Sequence, residues 1–322
     1  MGTLTNAVAV VAGATRGAGR GIAVALGEAG ATVFCTGRSS AATGPPATGV
    51  YAGRPETVDE TARLVDAAGG RGIPMQIDHG VEADVATLAE RLRGAASPLD
   101  LVVMNFWGDD APVAFGAAFV DVPEPAARAT IEGTLWPHVR TLRALVPLLR
   151  PSSEDHRPLI VEVAEGVDLY YRGQLYYDLA SILRLRLTFS LGEELAPRGI
   201  PVVGVCPGYM RTEYALDRMC VTEASWREAK TSDPGWRHSE SPRLVGRAVA
   251  ALAADPEVGR WSGRTTGSWE LARHYGLTDI DGALPDFGAY FAGQYGDAPM
   301  PSRTGVRWRV HAASSPAERR AS

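Results

Sequence analysis

The stretch AGATRGAGRG sets Gly13, Gly17 and Gly19 in a GxxxGxG spacing directly after the apolar run 7–12. The chemistry open to it is phosphate binding. A tight turn needs glycine where φ is positive, and a pyrophosphate needs bare backbone to approach. The helix that follows offers unpaired N–H groups at the positive end of its dipole. Thr15 and Arg16 lie inside the same turn. The second apolar run ends CTGRS, with Arg38 where an acidic residue would bond the ribose hydroxyls of NAD. A guanidinium there suits a 2′-phosphate instead, and Arg16 can add a second charge-assisted contact, so the expected cofactor is NADP(H). Asp78, at the end of the third run, is placed to meet an adenine edge, although an Asp after a strand also serves ordinary turns.

For these residues to converge, the short apolar runs must be parallel strands and the stretches between them crossover helices. The pattern predicts strands over 7–12, 31–36, 72–77, 99–105, 159–164, 200–206 and, more weakly marked, 263–268. Helices are predicted over 17–29, 55–68, 82–94, 124–149 and 175–195. The expected fold is α/β: a Rossmann-like doubly wound parallel sheet of seven strands in three layers, with a C-terminal extension. One domain spans 1–296. A Gly/Pro/Ser-rich loop interrupts it at 39–54, and a mixed segment at 210–242 suits a lid over a pocket or a surface excursion. Residues 297–322 read as a disordered tail.

With the later stretches MNFWGDD, LYYDLAS and CPGYMRTE, these features resemble the short-chain dehydrogenase/reductase family over roughly residues 5–255. The chain looks most like an actinobacterial-type subgroup with a long loop after the second strand, RPETVDETARLV in the second helix and a C-terminal SPRLVGRAVAALAADPEVGRW. The resemblance assigns cofactor contacts to Gly13, Gly17, Gly19, Asn105, Pro207, Gly208 and Thr212. It also implies a homodimer or homotetramer built on helices 124–149 and 175–195. Tyr177 fits the family's catalytic tyrosine. The other three members of the tetrad are replaced: Ser181 stands where the family has Lys, Ala164 where it has Ser, and Thr130 where it has Asn.

Each replacement has a physical consequence. The family's lysine lowers the tyrosine pKa, so without it Tyr177 is expected to titrate nearer an unperturbed phenol, about 10. Such a phenol still gives a proton to a carbonyl oxygen but is a poor base toward an alcohol, so reduction suffers less than oxidation. Losing the Ser hydroxyl removes a hydrogen bond to the substrate oxygen, of a kind worth about 3 kcal/mol in oxyanion-hole mutants. Glu165 is the candidate partner acid or base, and Ser181 and Thr130 are candidate relay hydroxyls. Arg184, seven residues past Tyr177 on nearly the same helix face, offers a cation at longer reach. Of 32 basic residues only Lys230 is a lysine; it restores the amine only if the 210–242 segment folds over the nicotinamide.

Composition narrows the function classes. A net charge of −5 without a basic run argues against nucleic acid. The apolar run 7–12 is too short for a signal or membrane segment, so a cytoplasmic protein without membrane contact is expected. Cys35, Cys206 and Cys220 are odd in number and lack CxxC spacing, which points to buried small side chains and not to disulfides or zinc. His79, His138 and His274 have no partner at metal-motif spacing, so no metal is expected. The leading expectation is carbonyl reduction of a small or secondary-metabolite substrate with an atypical proton relay. The alternatives are a non-redox cyclase, dehydratase or isomerase using Tyr177 and Glu165, and a non-catalytic partner subunit.

Overall fold

The apolar runs form seven strands: β1 Val8–Ala12, β2 Thr32–Gly37, β3 Arg71–Gln76, β4 Leu101–Met104, β5 Leu159–Val163, β6 Val202–Cys206 and β7 Thr265–Gly267. They come from a computed structural model that describes residues 4–46, 51–95, 98–107, 117–153, 157–167, 171–231 and 233–295. The sheet runs β3-β2-β1-β4-β5-β6-β7 with every pairing parallel. Strand order reverses between β1 and β4, and in such sheets the crevice at the strands' carboxyl ends holds ligands. The turns after β1 and β4, which carry Gly13 and Asn105, face each other there.

Helices α1 (Gly17–Glu28), α2 (Val58–Ala67), α3 (Glu82–Arg93), α4 (Glu124–Leu145) and α5 (Leu175–Leu195) supply the crossovers. Two hydrophobic clusters lie on opposite faces of the sheet. One packs β-strand residues such as Val11, Val103 and Val161 against Ile22, Leu26 and Val249; the other packs Val10, Val102 and Ile160 against Leu88, Leu142 and Leu145. These are the three expected layers. α2 begins later than predicted because Thr57 caps it, its side chain accepting the Glu60 N–H. α4 ends earlier, in a 3-10 turn at Val146–Leu148, since Pro147 has no N–H to continue the ladder. The weakly marked seventh strand is short.

The rest of the chain adds α6 (Glu213–Arg218), α7 (Pro242–Ala253), α8 (Ser268–Tyr275) and α9 (Phe287–Tyr295). α7 lies against α1 with almost no side chain between them: a Cβ on Gly246 would stand 2.4 Å from the Gly21 carbonyl oxygen. The 210–242 segment is pinned at its neck. Met210 bridges Glu240, and the buried Arg211 pairs with Glu223 at 2.6 Å and Asp279 at 3.0 Å while lying over the Trp226 ring. Of the three cysteines, Cys35 and Cys206 are buried as expected, but Cys220 is exposed because it sits in a left-handed turn just past α6. The 297–322 tail lies outside the described residues. Among the described residues no helix is long and apolar enough to cross a membrane.

Candidate active site

The glycine turn has the geometry its spacing requires. Gly13 and Gly17 have φ of +85° and +54°, and a Cβ on Gly19 would stand 1.9 Å from the Gly13 carbonyl oxygen. Asn105 fixes the turn from β4, donating through Nδ2 to that same oxygen at 2.9 Å. The Gly17 N–H, first in α1, already serves an anion: it donates to Glu213 Oε2 at 2.8 Å. Thr212 caps α6 through the Ala215 N–H at 3.2 Å and sets its methyl against Gly17. The bare backbone and the anion-binding N–H fit a dinucleotide's phosphates.

The basic residues divide. Arg16 bonds Glu56 at 3.3 Å and lies 4.6 Å over the Tyr51 ring, and its Nη2 is buried with no hydrogen-bond partner. That nitrogen is a donor that a phosphate oxygen would satisfy. Arg38 is exposed at the end of β2. Thr15 is buried against Gly37, and its carbonyl accepts from Arg20 at 3.1 Å. Asp78 does turn work, its Oδ1 accepting the Gly80 N–H at 2.8 Å. Gly208, after Pro207, is covered by Phe287 of α9 and by the buried Glu240, leaving no room for a side chain. Arg54, which the sequence did not single out, pairs with both Glu56 and Asp217. It thereby joins the long loop to α6 above the glycine turn, and Tyr51 meets Tyr214 edge-on beside it.

The candidate catalytic residues meet at the end of β5 and the start of α5. Gln174 caps α5, its side chain accepting the N–H groups of Tyr176 and Tyr177, and so fixes where the tyrosine leaves the helix. Arg172 ties the turn after β5 to that helix, donating to the Glu165 carbonyl at 2.7 Å and to Asp178 at 3.2 Å. The result is a direct hydrogen bond from the Tyr177 hydroxyl to Glu165 Oε2. The phenol ring stacks on Trp107 with centroids 5.2 Å apart and planes 6° off parallel.

The predicted relay hydroxyls do not join this pair directly. Ser181 donates to the Tyr177 carbonyl at 2.9 Å and Thr130 to the Ala126 carbonyl at 2.9 Å, each satisfied within its own helix. Ala164 is buried. Lys230 is exposed on the 210–242 segment.

Behind the site lies a buried set of ionisable groups that sequence reasoning largely missed. Arg184, 1% exposed, donates to the carbonyls of Val163 (2.7 Å) and Phe106 and lies 4.2 Å over the Trp107 ring. Burial pulls its pKa down to about 10 while nearby Glu162, Glu165 and Tyr177 pull it up. Glu162 is wholly buried, its carboxyl pushed up to about 8 by desolvation against the pull of Arg184. His138 donates from Nδ1 to the Thr134 carbonyl at 2.7 Å, leaving Nε2 3.5 Å from Glu162 Oε2. Burial keeps His138 neutral, and it holds His79 down to about 3. The His79 ring stacks on Phe106 with centroids 4.6 Å apart, and the His138 ring meets the same side chain tilted by 35° at 4.3 Å. The available signal was a lone carboxylate inside the apolar run LIVEVA, on a strand whose two faces are both covered. Among the described residues no group of His, Cys, Asp and Glu could hold a metal ion.

A family model described as short chain dehydrogenase matches residues 7–219. The mouse protein "Dehydrogenase/reductase SDR family member 1" is 31% identical over 283 residues, which is 85% of this chain and 83% of that protein. Among solved structures, a short chain dehydrogenase from Mycobacterium thermoresistibile superposes with a TM-score of 0.69 at 19% identity, covering 89% of this chain and 93% of that one. The landomycin C-6 ketoreductase LanV, with bound NADP and rabelomycin, superposes with a TM-score of 0.59 at 22% identity, covering 83% and 96%. The parallel sheet, the glycine turn and the tyrosine at the head of α5 agree with the family model's match to residues 7–219, about two thirds of the chain: this protein belongs to the short chain dehydrogenase family.

Proposed function

We propose that the protein is an NADP(H)-dependent carbonyl reductase in which Tyr177 gives the proton and Glu165 resupplies it. The observation that carries this reading is the Tyr177 hydroxyl, fixed beside the glycine cradle by Gln174 and Trp107 and donating to a carboxylate. When bound, the reduced nicotinamide supplies a hydride to the carbonyl carbon. Tyr177 turns its proton from Glu165 to the carbonyl oxygen as charge develops there. Glu165, only partly buried, then passes a proton from solvent back to the phenolate. This relay takes the place of the one the family builds from lysine and serine.

The preference for NADP(H) over NAD(H) rests on Arg16, with its unpartnered nitrogen, and Arg38 at the end of β2. A structure of the same fold holding NADP supports it. Tyr209 and Phe287 bring aromatic surface to the Pro207–Gly208 turn and suit a flat, largely apolar ketone, in keeping with a secondary-metabolite substrate. A homodimer or homotetramer in the cytoplasm completes the reading, with the exposed Trp136 of α4 and Leu179 of α5 as surface for a second copy to cover.

The test is to follow NADPH absorbance while a panel of aromatic and aliphatic ketones is turned over, with product analysis in parallel. Consumption of NADPH matched to alcohol formed, and lost in Tyr177→Phe, is the expected result. A second reading is favoured by the same contact: phenol and carboxylate side by side, with no ammonium group, also make an acid and base pair for a non-redox cyclase, dehydratase or isomerase. Product formed with no NADPH consumed selects that reading.

A further inference from the structure

The family's lysine is missing from α5, and Ser181 in its place carries no charge. We propose that Arg184 is the positioning residue that supplies positive charge to Tyr177, acting across the ring of Trp107. The inference rests on Tyr177 being the acid of the proposed reaction. One shared ring carries it: the Arg184 guanidinium lies 4.2 Å over the Trp107 indole, and the Tyr177 ring stacks on the same indole at 5.2 Å. A cation over an aromatic ring draws the ring's electron density toward itself, so the ring better receives an electron-rich phenolate stacked on it. A planar guanidinium makes this contact where a lysine's point charge would not.

The cation is held in place by the fold. Its hydrogen bonds to the Val163 and Phe106 carbonyls join the ends of β5 and β4, the two strand ends between which the tyrosine works. The charged and titratable groups packed about it are Glu162 on β5, Glu165 in the following turn, Tyr177 on α5 and His138 on α4, with His79 beyond Phe106. His138 is neutral, so the charge on Arg184 is set against Glu162 and Glu165. Neither Glu162 oxygen has a hydrogen-bond partner, and Arg184 Nε has none. Apolar side chains in place of incompletely bonded buried charges commonly cost no stability, which leaves the position of Arg184 beside Trp107 as the reason to keep it.

Ultraviolet difference titration of the phenol, wild type minus Tyr177→Phe, tests this with no substrate present. At an effective dielectric of about 20, a unit charge about 9 Å away moves a titration by about one pH unit. Arg184→Gln is expected to raise the Tyr177 midpoint by about that much, and Arg184→Lys by less. Glu162→Gln is expected to lower it, because it removes the opposing charge. If the enzyme reduces ketones, the alkaline limb of kcat moves in the same directions. An unchanged midpoint in folded Arg184→Gln overturns the proposal and leaves Arg184 as a tie between strands. Should that variant not fold, Glu162→Gln decides: a lowered midpoint supports the proposal and an unmoved one overturns it. Because the titration needs no turnover, a protein that consumes no NADPH would sink the reductase reading without touching this result.

Discussion

Tyr177→Phe removes the proposed proton donor without disturbing the stack on Trp107, so kcat for ketone reduction should fall at least about 100-fold with NADPH affinity unchanged by calorimetry. Ser181→Lys makes a sharper test of the charge proposed for Arg184. The Ser181 side chain is fully buried and lies on the helix face of Arg184, so a lysine there places a second cation beside the first. We expect Ser181→Lys to lower the urea midpoint and Ser181→Lys with Arg184→Leu to recover most of it, a coupling that a double-mutant cycle reads directly. Additive losses would mean that the two positions do not share one charge site. The sequence made Tyr177, Glu165 and Arg184 visible because each follows from position: a helix in register, a neighbour at a strand end, two turns along one face. It left Glu162, His138, Gln174 and Arg172 obscure because their roles depend on burial and on contacts across the sheet. A carboxylate in an apolar strand was the one mark that could have been read.

Among the elements, the glycine turn was legible because its demands are local. Gly19→Ala should abolish NADPH binding and lower Tm, since the new methyl would overlap the Gly13 carbonyl. The clasp above that turn was not legible. The long loop and the 210–242 segment were each recognised as interruptions, but Arg54 with Asp217 and Tyr51 with Tyr214 join residues far apart in the chain. No spacing rule connects them. The same meeting brings Glu213 to the Gly17 N–H, a donor that a dinucleotide's phosphate would claim. A carboxylate there opposes an incoming anion, so Glu213→Gln is expected to tighten NADPH binding by about two- to fivefold, within the range of charge effects at helix termini. Unchanged or weaker binding in that variant would show that Glu213 swings clear at no cost. At the opposite contact of α1, Gly246→Ala should destabilise the protein by about 1–3 kcal/mol, because the added methyl meets the backbone of Gly21 where the two helices have no slack.

For the molecule as a whole, the net charge of −5 hides groups buried in the wrong ionisation state for water, and these set how stability follows pH. His79 is pushed down to about 3 by burial, and His138 is lowered in the same sense. Below about pH 6.5 the unfolded chain takes up protons that the folded protein refuses, so each histidine removes about 1.4 kcal/mol per pH unit as acidity rises, His79 down to about pH 3. Glu162 and Glu240 are each pushed up to about 8, chiefly by burial. The unfolded chain ionises them near about 4.3, so the stability they contribute in their protonated form is lost as pH rises from there to about 8, at a similar slope for each. Between about pH 4.3 and 6.5 the two effects oppose one another; above that window only the carboxyls act. Stability should therefore peak on the mildly acidic side and decline through neutrality. Glu240→Gln, which keeps the acceptor for Ser268, should reduce the slope of the urea-unfolding free energy between pH 6.5 and 8, and Glu162→Gln should reduce it again when added. A wild-type slope that persists in the double variant would place the loss elsewhere. The part due to Glu162 is then what the molecule gives up in stability for keeping a carboxyl buried beside Arg184 and His138.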